Sequence, residues 1–375
     1  MEAKKREPLL RVVKHAELSR TQSFLLRLLA VVVALVVGGI FIASIGYNPL
    51  EVYKTMVVGC FRSVMAFQAT IKFCIPMCIA ALGVTLAFKM KFWNIGGEGQ
   101  LIMGAVFASY FALFCDGMPH VPLIIIMFLA GFVGGGIWGL IPALCREKWG
   151  TNETLFTLML NYIALYIVTY LRDGPWRDPQ AAGFNKIARF SANSQLDKVA
   201  GIHFGWIIMI ALVVFVFIYL SKTKQGYEIS VVGESRDTAR YAGINVRRVV
   251  IRTMFLSGGI AGIAGMIQAC GADATLSTGV ANGVGFTGII IAWLAQLNPI
   301  ATLVVAFAFS ILEKGSSVIQ SSFGLSTACA DVLQGIILFF IMAIEFFVRY
   351  KIVFAGHKEK KLSQAKPEKK EAAGK

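Results

Sequence analysis

Four polar residues in apolar surroundings are the first candidates for chemistry. Asn94, Glu98 and Gln100 stand among four glycines in the stretch FWNIGGEGQLIMGA, residues 92–105, and Asn161 stands within a long apolar run. A charged side chain at the centre of a bilayer costs about 3 kcal/mol on insertion scales unless protein or water surrounds it. We therefore expect these four side chains to face a pathway or neighbouring helices rather than lipid.

Two roles are open for each of these positions. Backbone amides freed by the glycines, together with Asn94 and Gln100, could meet sugar hydroxyls or the edge of a base, which would place Glu98 on a substrate pathway. Alternatively, Glu98 caps a helix N-terminus, where the helix dipole favours a carboxylate. For Asn161 the alternatives are contact with a substrate and a hydrogen bond across helices.

Composition shows which elements must position these residues. The 375 residues are 57% hydrophobic and 15% charged, whereas soluble domains typically have about 25% charged residues. The pattern predicts an all-α, polytopic integral membrane protein with about ten transmembrane helices. The short runs are typical of tilted or discontinuous helices, or of parts of one hairpin. The apolar runs are 24–46, 66–88, 98–115, 121–145, 154–171, 204–220, 253–271, 284–297, 299–313 and 327–348.

The net charge of +15 is concentrated at the two termini and in one loop. The positive-inside rule places all of these basic segments in the cytoplasm if the first span runs outward, so nucleic acid is not the expected partner. Both termini are then cytoplasmic, and the tail is expected to be disordered. The predicted regions are a basic N-terminus (1–23), a transmembrane domain (24–350) with an extracellular loop (172–203) and a cytoplasmic loop (222–252), and a charged tail (351–375).

No pattern for bond-making chemistry is present in the sequence. It contains no GxxxxGK[ST], HExxH or GxSxG motif, and the seven cysteines include no CxxC pair. The GVGFTG stretch at 283–288 satisfies GxGxxG but lacks a βαβ context, so its glycines indicate close helix approach. We expect no catalytic residue, metal or cofactor, and any ATP that drives the protein must bind to another chain.

The cytoplasmic loop contains a second candidate site. A polar run with Glu234, Asp237 and Arg240 leads to Ala242 and Gly243, a typical end of a helix. A short cytoplasmic helix held against a membrane helix could dock into a groove on a partner and transmit its motion. An ordinary amphipathic connector is the alternative interpretation.

Four stretches, in this order, resemble the permease subunits of bacterial ATP-binding-cassette (ABC) importers. The resemblance is to the simple-sugar and nucleoside branch related to the branched-chain amino acid permeases. NIG-x-EGQ is typical of the nucleoside type, and the length and ETLFTLMLNY resemble the larger of two paired permeases. Phe156 stands where a smaller or more polar residue is expected, and Gln296 stands where small residues are commoner; both departures affect substrate identity more than fold. The stretches are FWNIGGEGQLIMGA (92–105), TNETLFTLMLNYIA (151–164), GESRDTARYAGINVRRV (233–249) and GVGFTGIIIAWLAQLNPIA (283–301).

The resemblance implies an ABC importer permease fold in the bacterial plasma membrane and a translocation pathway for nucleosides. The implied partners are a second, shorter permease, ABC ATPase subunits and an extracellular substrate-binding lipoprotein. Segment 233–249 would be the coupling helix, and its implied ATPase contacts are Glu234, Asp237, Arg240, Ala242 and Gly243. A simple-sugar importer of ribose or galactose type is the nearest alternative. A secondary carrier would need paired ionisable residues deep in the spans, and the sequence offers few.

Overall fold

A computed structural model describes most of the chain. The described residues are 10–14, 20–181, 183–326, 328–329, 332–333, 335–336, 339–340, 343–344 and 350–354. Much of the predicted last span (327–348), most of the predicted N-terminal region (1–23) and most of the tail (351–375) lie outside them. The chain divides into two compact units, one of residues 1–41 with 335–375 and one of residues 42–334.

Helices dominate the described residues, as the composition predicts. Strands β1 (Leu10–Lys14) and β4 (Tyr350–Phe354) pair antiparallel in the first unit, and β2 (Lys198–Val199) and β3 (Ile202–His203) form a small hairpin in the second. A π-helical turn, Gln268–Asp273, continues α10. The helices are α1 (Arg20–Ser44), α2 (Pro49–Phe61), α3 (Val64–Lys89), α4 (Gly97–Phe114), α5 (His120–Trp149), α6 (Glu153–Asp173), α7 (Gly205–Lys222), α8 (Lys224–Glu234), α9 (Arg236–Tyr241), α10 (Val246–Ile267), α11 (Val284–Leu294) and α12 (Pro299–Phe323).

Seven helices in the described part of the chain are long and apolar enough to cross a membrane. These are α3 to α7, α10 with its π turn, and α12; the number rises to eight if residues 31–44 and α2 form one broken span. The predicted count of about ten is therefore not confirmed. The interruption predicted within 284–313 is present, because Gln296 and Leu297 adopt positive φ between α11 and α12.

Two elements extend beyond what the hydropathy pattern predicts. Helix α12 continues to Phe323 rather than ending at 313, and its extension packs on α2, where Val318 meets Gly59 and Met56 meets Gly315. Helix α2 itself has no counterpart among the predicted spans. The cytoplasmic loop 222–252 is almost entirely helical, as its sequence predicts, and is built from α8, α9 and the start of α10.

The core forms where glycines allow backbones to touch. Residues 258–265 of α10, GGIAGIAG, face α5 and α4, so that a Cβ on Gly262 would lie 3.0 Å from Gly135 Cα. Ser257 Oγ donates a 2.6 Å hydrogen bond to the Gly83 carbonyl of α3. The predicted small-residue packing is confirmed. The most apolar windows of α3 and α10 are 83% and 78% buried, against 28% for α6, so α6 belongs to the periphery.

Candidate functional site

Glu98, the acidic residue within an apolar part of the sequence, is bound by α11, a helix far away in sequence. It lies in the first turn of α4, and its carboxylate accepts hydrogen bonds from the backbone N–H groups of Gly283 (2.8 Å) and Gly285 (2.7 Å). These two groups stand at the start of α11, whose N-cap residue Gly283 has no side chain to offer. Glu98 thus caps α11, which agrees with the capping alternative, although the capped helix is not its own.

Close packing holds this cap in place. A Cβ at position 285 would overlap the backbone of Glu98, so only glycine permits the observed approach of α11 to α4. Gly283 has a φ of +78°, a conformation that glycine adopts without strain. Gly285 and Gly288 of the GVGFTG stretch therefore serve close helix approach, as the sequence predicts, whereas Gly283 has open space around it and serves the turn.

Asn94 and Gln100 bind each other. The Asn94 Nδ2 group donates to Gln100 Oε1 (3.1 Å), and Gln100 Nε2 donates to Asn94 Oδ1 (3.2 Å). Asn94 Oδ1 also accepts from the Gly96 N–H at 3.0 Å. Both side chains are buried, so this reciprocal amide pair satisfies the polar atoms that burial would otherwise leave without partners.

Helix α6 supplies the remaining bonds to the same turn. Asn161 Oδ1 accepts from Gly99 N–H (2.8 Å), and its Nδ2 donates to the carbonyl of Ile95 (2.9 Å). Thr157 Oγ1 accepts from the N–H of Ile95 at 3.1 Å. Sequence reasoning missed Thr157, although its position four residues before Asn161 places both on one face of α6.

The four predicted pathway residues therefore form one group. Together with Thr157 they are here called the junction cluster. The cluster connects α4, α6 and α11 through hydrogen bonds, and it gives each of the four side chains partners within the protein. Direct contact of any of them with a transported substrate stays a prediction. The geometry of the cluster is that of a joint that fixes three helices relative to one another.

Aromatic rings cover the adjoining junction. Trp93 stacks on Trp293 with ring centroids 5.7 Å apart, and Phe88 lies 5.4 Å from the first and 5.6 Å from the second. Phe92 is buried with the Arg146 guanidinium 4.8 Å from its ring centroid. The turn between α3 and α4 is thereby anchored to α5 and α11.

The second candidate site is the coupling element, defined as α8, α9 and the turn to α10. All five predicted coupling residues are exposed on it, whereas Ala239 on the opposite face of α9 is buried. Gly243 follows the helix with a φ of +74° and open space around it. The exposed coupling residues are Glu234, Asp237, Arg240, Ala242 and Gly243.

Contacts on three sides fix the coupling element to the membrane helices. Arg252 of α10 pairs with Glu228 of α8 at 3.1 Å, and Arg236 of α9 pairs with Glu147 of α5 at 3.2 Å. Gly233 lies directly on the Lys89 carbonyl at the end of α3. The sequence could not reveal these ion pairs, because the loop contains many charged residues and only the fold determines which of them lie close together.

The helical membrane fold and these two sites define a class of protein, the membrane-spanning transport subunits, and sequence comparison agrees with that class. Residues 66–342 match the family model described as branched-chain amino acid transport system / permease component. The chain therefore belongs to this family of ABC transporter permeases. It is a transport subunit, not an enzyme, and the all-α permease fold predicted from the sequence is confirmed.

Similar proteins cover nearly the whole chain. A glucose ABC transporter permease of Haloferax volcanii is 31% identical over 87% of this chain and 89% of its own length. A nucleoside ABC transporter permease of Lactococcus lactis subsp. cremoris is 30% identical, covering 95% of this chain and all of the relative. A guanosine ABC transporter permease of Bacillus subtilis is 28% identical over 88% of this chain and 96% of its own length.

Proposed function

We propose that this chain forms the translocation pathway for nucleosides in an ABC importer of the plasma membrane, with both termini in the cytoplasm. The observation that favours nucleosides is the end-to-end similarity, at 30% identity, to a nucleoside permease. The NIG-x-EGQ stretch, which is typical of the nucleoside type, points the same way. The 31% identity to a glucose permease favours a second candidate substrate class, simple sugars.

The coupling element is proposed to dock the ATPase. Exposed charges of both signs beside an open glycine turn suit insertion into a groove on a partner, since Asp237 and Arg240, which pair with each other at 3.2 Å, are 79% and 65% exposed. The contacts of α8 and α9 with α3, α5 and α10 would convert movement of the ATPase into movement of the membrane helices. A second, shorter permease and an extracellular binding lipoprotein complete the proposed importer.

The junction cluster is proposed to shape the pathway by position. It ties α4, α6 and α11 together near the end of α3, so these helices would shift as one body when the coupling element moves. Asn94, Glu98, Gln100 and Asn161 would then act on transport by holding the pathway helices in register. Direct substrate contact by Glu98 is the alternative, and a lowered maximal uptake rate at an unchanged melting temperature would reveal it.

Uptake by the complete importer tests the substrate. We expect cells that contain the full complex, in a strain lacking other nucleoside carriers, to take up radiolabelled uridine in an ATP-dependent manner. An excess of unlabelled nucleoside should compete, and excess ribose or glucose should not. Uptake of sugar alone would contradict the nucleoside assignment in favour of the sugar alternative. Uptake that survives ATP depletion but stops when the proton gradient is dissipated would indicate a secondary carrier.

A further inference from the structure

The exposed face of α6 differs in chemistry from those of three other peripheral helices. Tyr162, Tyr166 and Tyr170 follow one another at four-residue spacing and are 54%, 68% and 69% exposed. Apart from Trp149 at the end of α5, the exposed large hydrophobic side chains of α5, α7 and α12, Leu129 among them, are aliphatic or phenylalanine, whereas α6 exposes the three tyrosines beside Leu155, Met159 and Ile163.

Lipid is a poor neighbour for this tyrosine strip, defined as Tyr162, Tyr166 and Tyr170. Helix α6 has 21 residues, which at 1.5 Å per residue is about the thickness of the hydrocarbon core, roughly 30 Å. Tyr162 and Tyr166 therefore lie in its middle half, away from the interfaces where tyrosine is favoured. A hydroxyl in hydrocarbon loses its hydrogen bonds to water. The strip thus indicates a surface that faces water or another polar partner rather than lipid.

A groove continues the strip toward the start of α6. It has a volume of about 430 Å³ and is lined by residues of the first three turns, among them Asn152, Phe156 and Met159. The groove is open, and all of its lining residues belong to α6 or to the turn before it. Phe156 contributes an aromatic wall to it. Groove and strip together follow one side of the helix over its length.

The opposite face of α6 is held rigidly. Thr157 and Asn161 point into the junction cluster and bind the turn before α4. The strip is therefore presented by a helix whose position the cluster fixes. A rigid row of aromatic rings with hydroxyls at their edges suits a ligand that offers a planar ring and hydrogen-bonding groups.

We propose that the tyrosine strip of α6 lines the translocation pathway and stacks on the planar base of a transported nucleoside. This inference rests on the proposed function and specifies which surface contacts the cargo. Stacking of a base on an aromatic side chain is tolerant of base identity. A pathway built this way would pass several nucleosides and leave selection to the binding lipoprotein.

Transport kinetics of the complete importer provide the first test. Wild-type nucleoside uptake is measured first, since its absence contradicts the proposed function whatever the variants do. Tyr166→Leu keeps a large apolar side chain but removes the ring, and we expect the maximal uptake rate to fall about tenfold. The KM should stay constant because the binding protein sets it. Tyr166→Phe should restore the rate to within about twofold of wild type.

A matched substitution on α5 controls for general damage. Leu129→Ala changes an exposed aliphatic residue and should leave uptake unchanged, with each variant assembled into the complex at wild-type level. If Tyr166→Leu assembles poorly, Tyr162→Leu, read in the same way, replaces it. Full uptake by the assembled leucine variant would overturn the inference, as would a phenylalanine variant as defective as the leucine variant.

Chemical access provides a second test that does not depend on transport rates. The Tyr166→Cys variant in the complete importer should react with a water-soluble maleimide above the level of the parent chain, and excess nucleoside should slow the reaction. The Leu129→Cys variant on α5 should not react. Equal reactivity of the two variants would overturn the proposal. So would a Tyr166→Cys variant that is unreactive but forms a disulfide with a cysteine placed on the second permease, because the strip would then be a dry subunit interface.

Discussion

The junction cluster connects α4, α6 and α11, the coupling element is attached to α3, α5 and α10, and the two do so by different physical means. The junction cluster uses buried, mostly uncharged hydrogen bonds together with one carboxylate that binds backbone N–H groups. The coupling element uses ion pairs whose side chains remain 11–32% exposed, and one glycine contact. Buried polar groups lose much when a partner is removed, whereas partly solvated pairs lose little.

The two kinds of contact should therefore serve two purposes: the junction cluster stabilises the fold, and the coupling element transmits movement of the ATPase to the membrane helices. Damage to the junction cluster should weaken the folded permease, because its bonds connect three helices at one buried turn. Substitutions on the exposed side of the coupling element should leave the fold intact and change only its contacts with the ATPase. Substitutions in the two regions should therefore have different signatures in melting and transport experiments.

The largest effect is expected at Glu98. Glu98→Ala leaves the N–H groups of Gly283 and Gly285 without their acceptor and should cost about 3 kcal/mol of stability. Glu98→Gln retains one acceptor oxygen and should lose about half as much. The apparent melting temperature of the purified permease in detergent measures both variants.

Uptake kinetics of Glu98→Gln separate a cap from a substrate ligand. A capping role predicts a lower melting temperature with an unchanged dependence of uptake on nucleoside concentration. An unchanged melting temperature with a lowered maximal uptake rate would contradict the capping role and indicate that the carboxylate contacts the substrate.

Asn161→Leu should have the next largest effect. Leucine fills the volume but leaves the Gly99 N–H and the Ile95 carbonyl without partners, which should cost about 2 kcal/mol. Ile163→Ala, on the exposed side of the same helix, is the control and should change stability by no more than about 0.5 kcal/mol. Equal melting temperatures of the two variants would mean that the hydrogen bonds of Asn161 contribute nothing to stability.

The residues of both regions could be predicted from the sequence, but most of their partners could not, for physical reasons. The polar residues of the junction cluster stand out against apolar runs, because burial makes them expensive whatever their partners are. Their partners could not be predicted, since Glu98 binds groups 185 residues away and backbone N–H groups leave no mark in the side-chain pattern. Hydropathy likewise missed α2 and the end of α12, where polar residues such as Glu313 interrupt a helix that packing nevertheless continues.

Gly243→Leu should affect coupling more than stability. The position has positive φ with nothing within 4 Å of an added Cβ, so the cost is backbone strain of about 1–2 kcal/mol. A bulky side chain at the end of α9 should obstruct docking, so that ATP hydrolysis by the complex no longer drives uptake. Simultaneous ATPase and uptake assays in proteoliposomes measure the loss of coupling.

Gly150→Leu is the matched control for that variant. Gly150 ends α5, also has positive φ and also has open space around it. It should show the same shift in melting temperature while uptake remains coupled to hydrolysis. Loss of coupling in both variants would assign the effect to strain, and unchanged transport in Gly243→Leu would refute the coupling assignment.

The smallest effect is expected from the ion pair between Arg236 and Glu147. Its side chains are 32% and 11% exposed and 3.2 Å apart, so the interaction energy from a double-mutant cycle with alanine should be at most about 1 kcal/mol. Since the pair joins α9 to α5, each single substitution should nevertheless loosen the coupling element and lower uptake per ATP hydrolysed. The double variant should be no worse than either single one. An interaction energy above about 2 kcal/mol would show that the coupling element is held as tightly as the junction cluster, and the distinction between the two regions would fail.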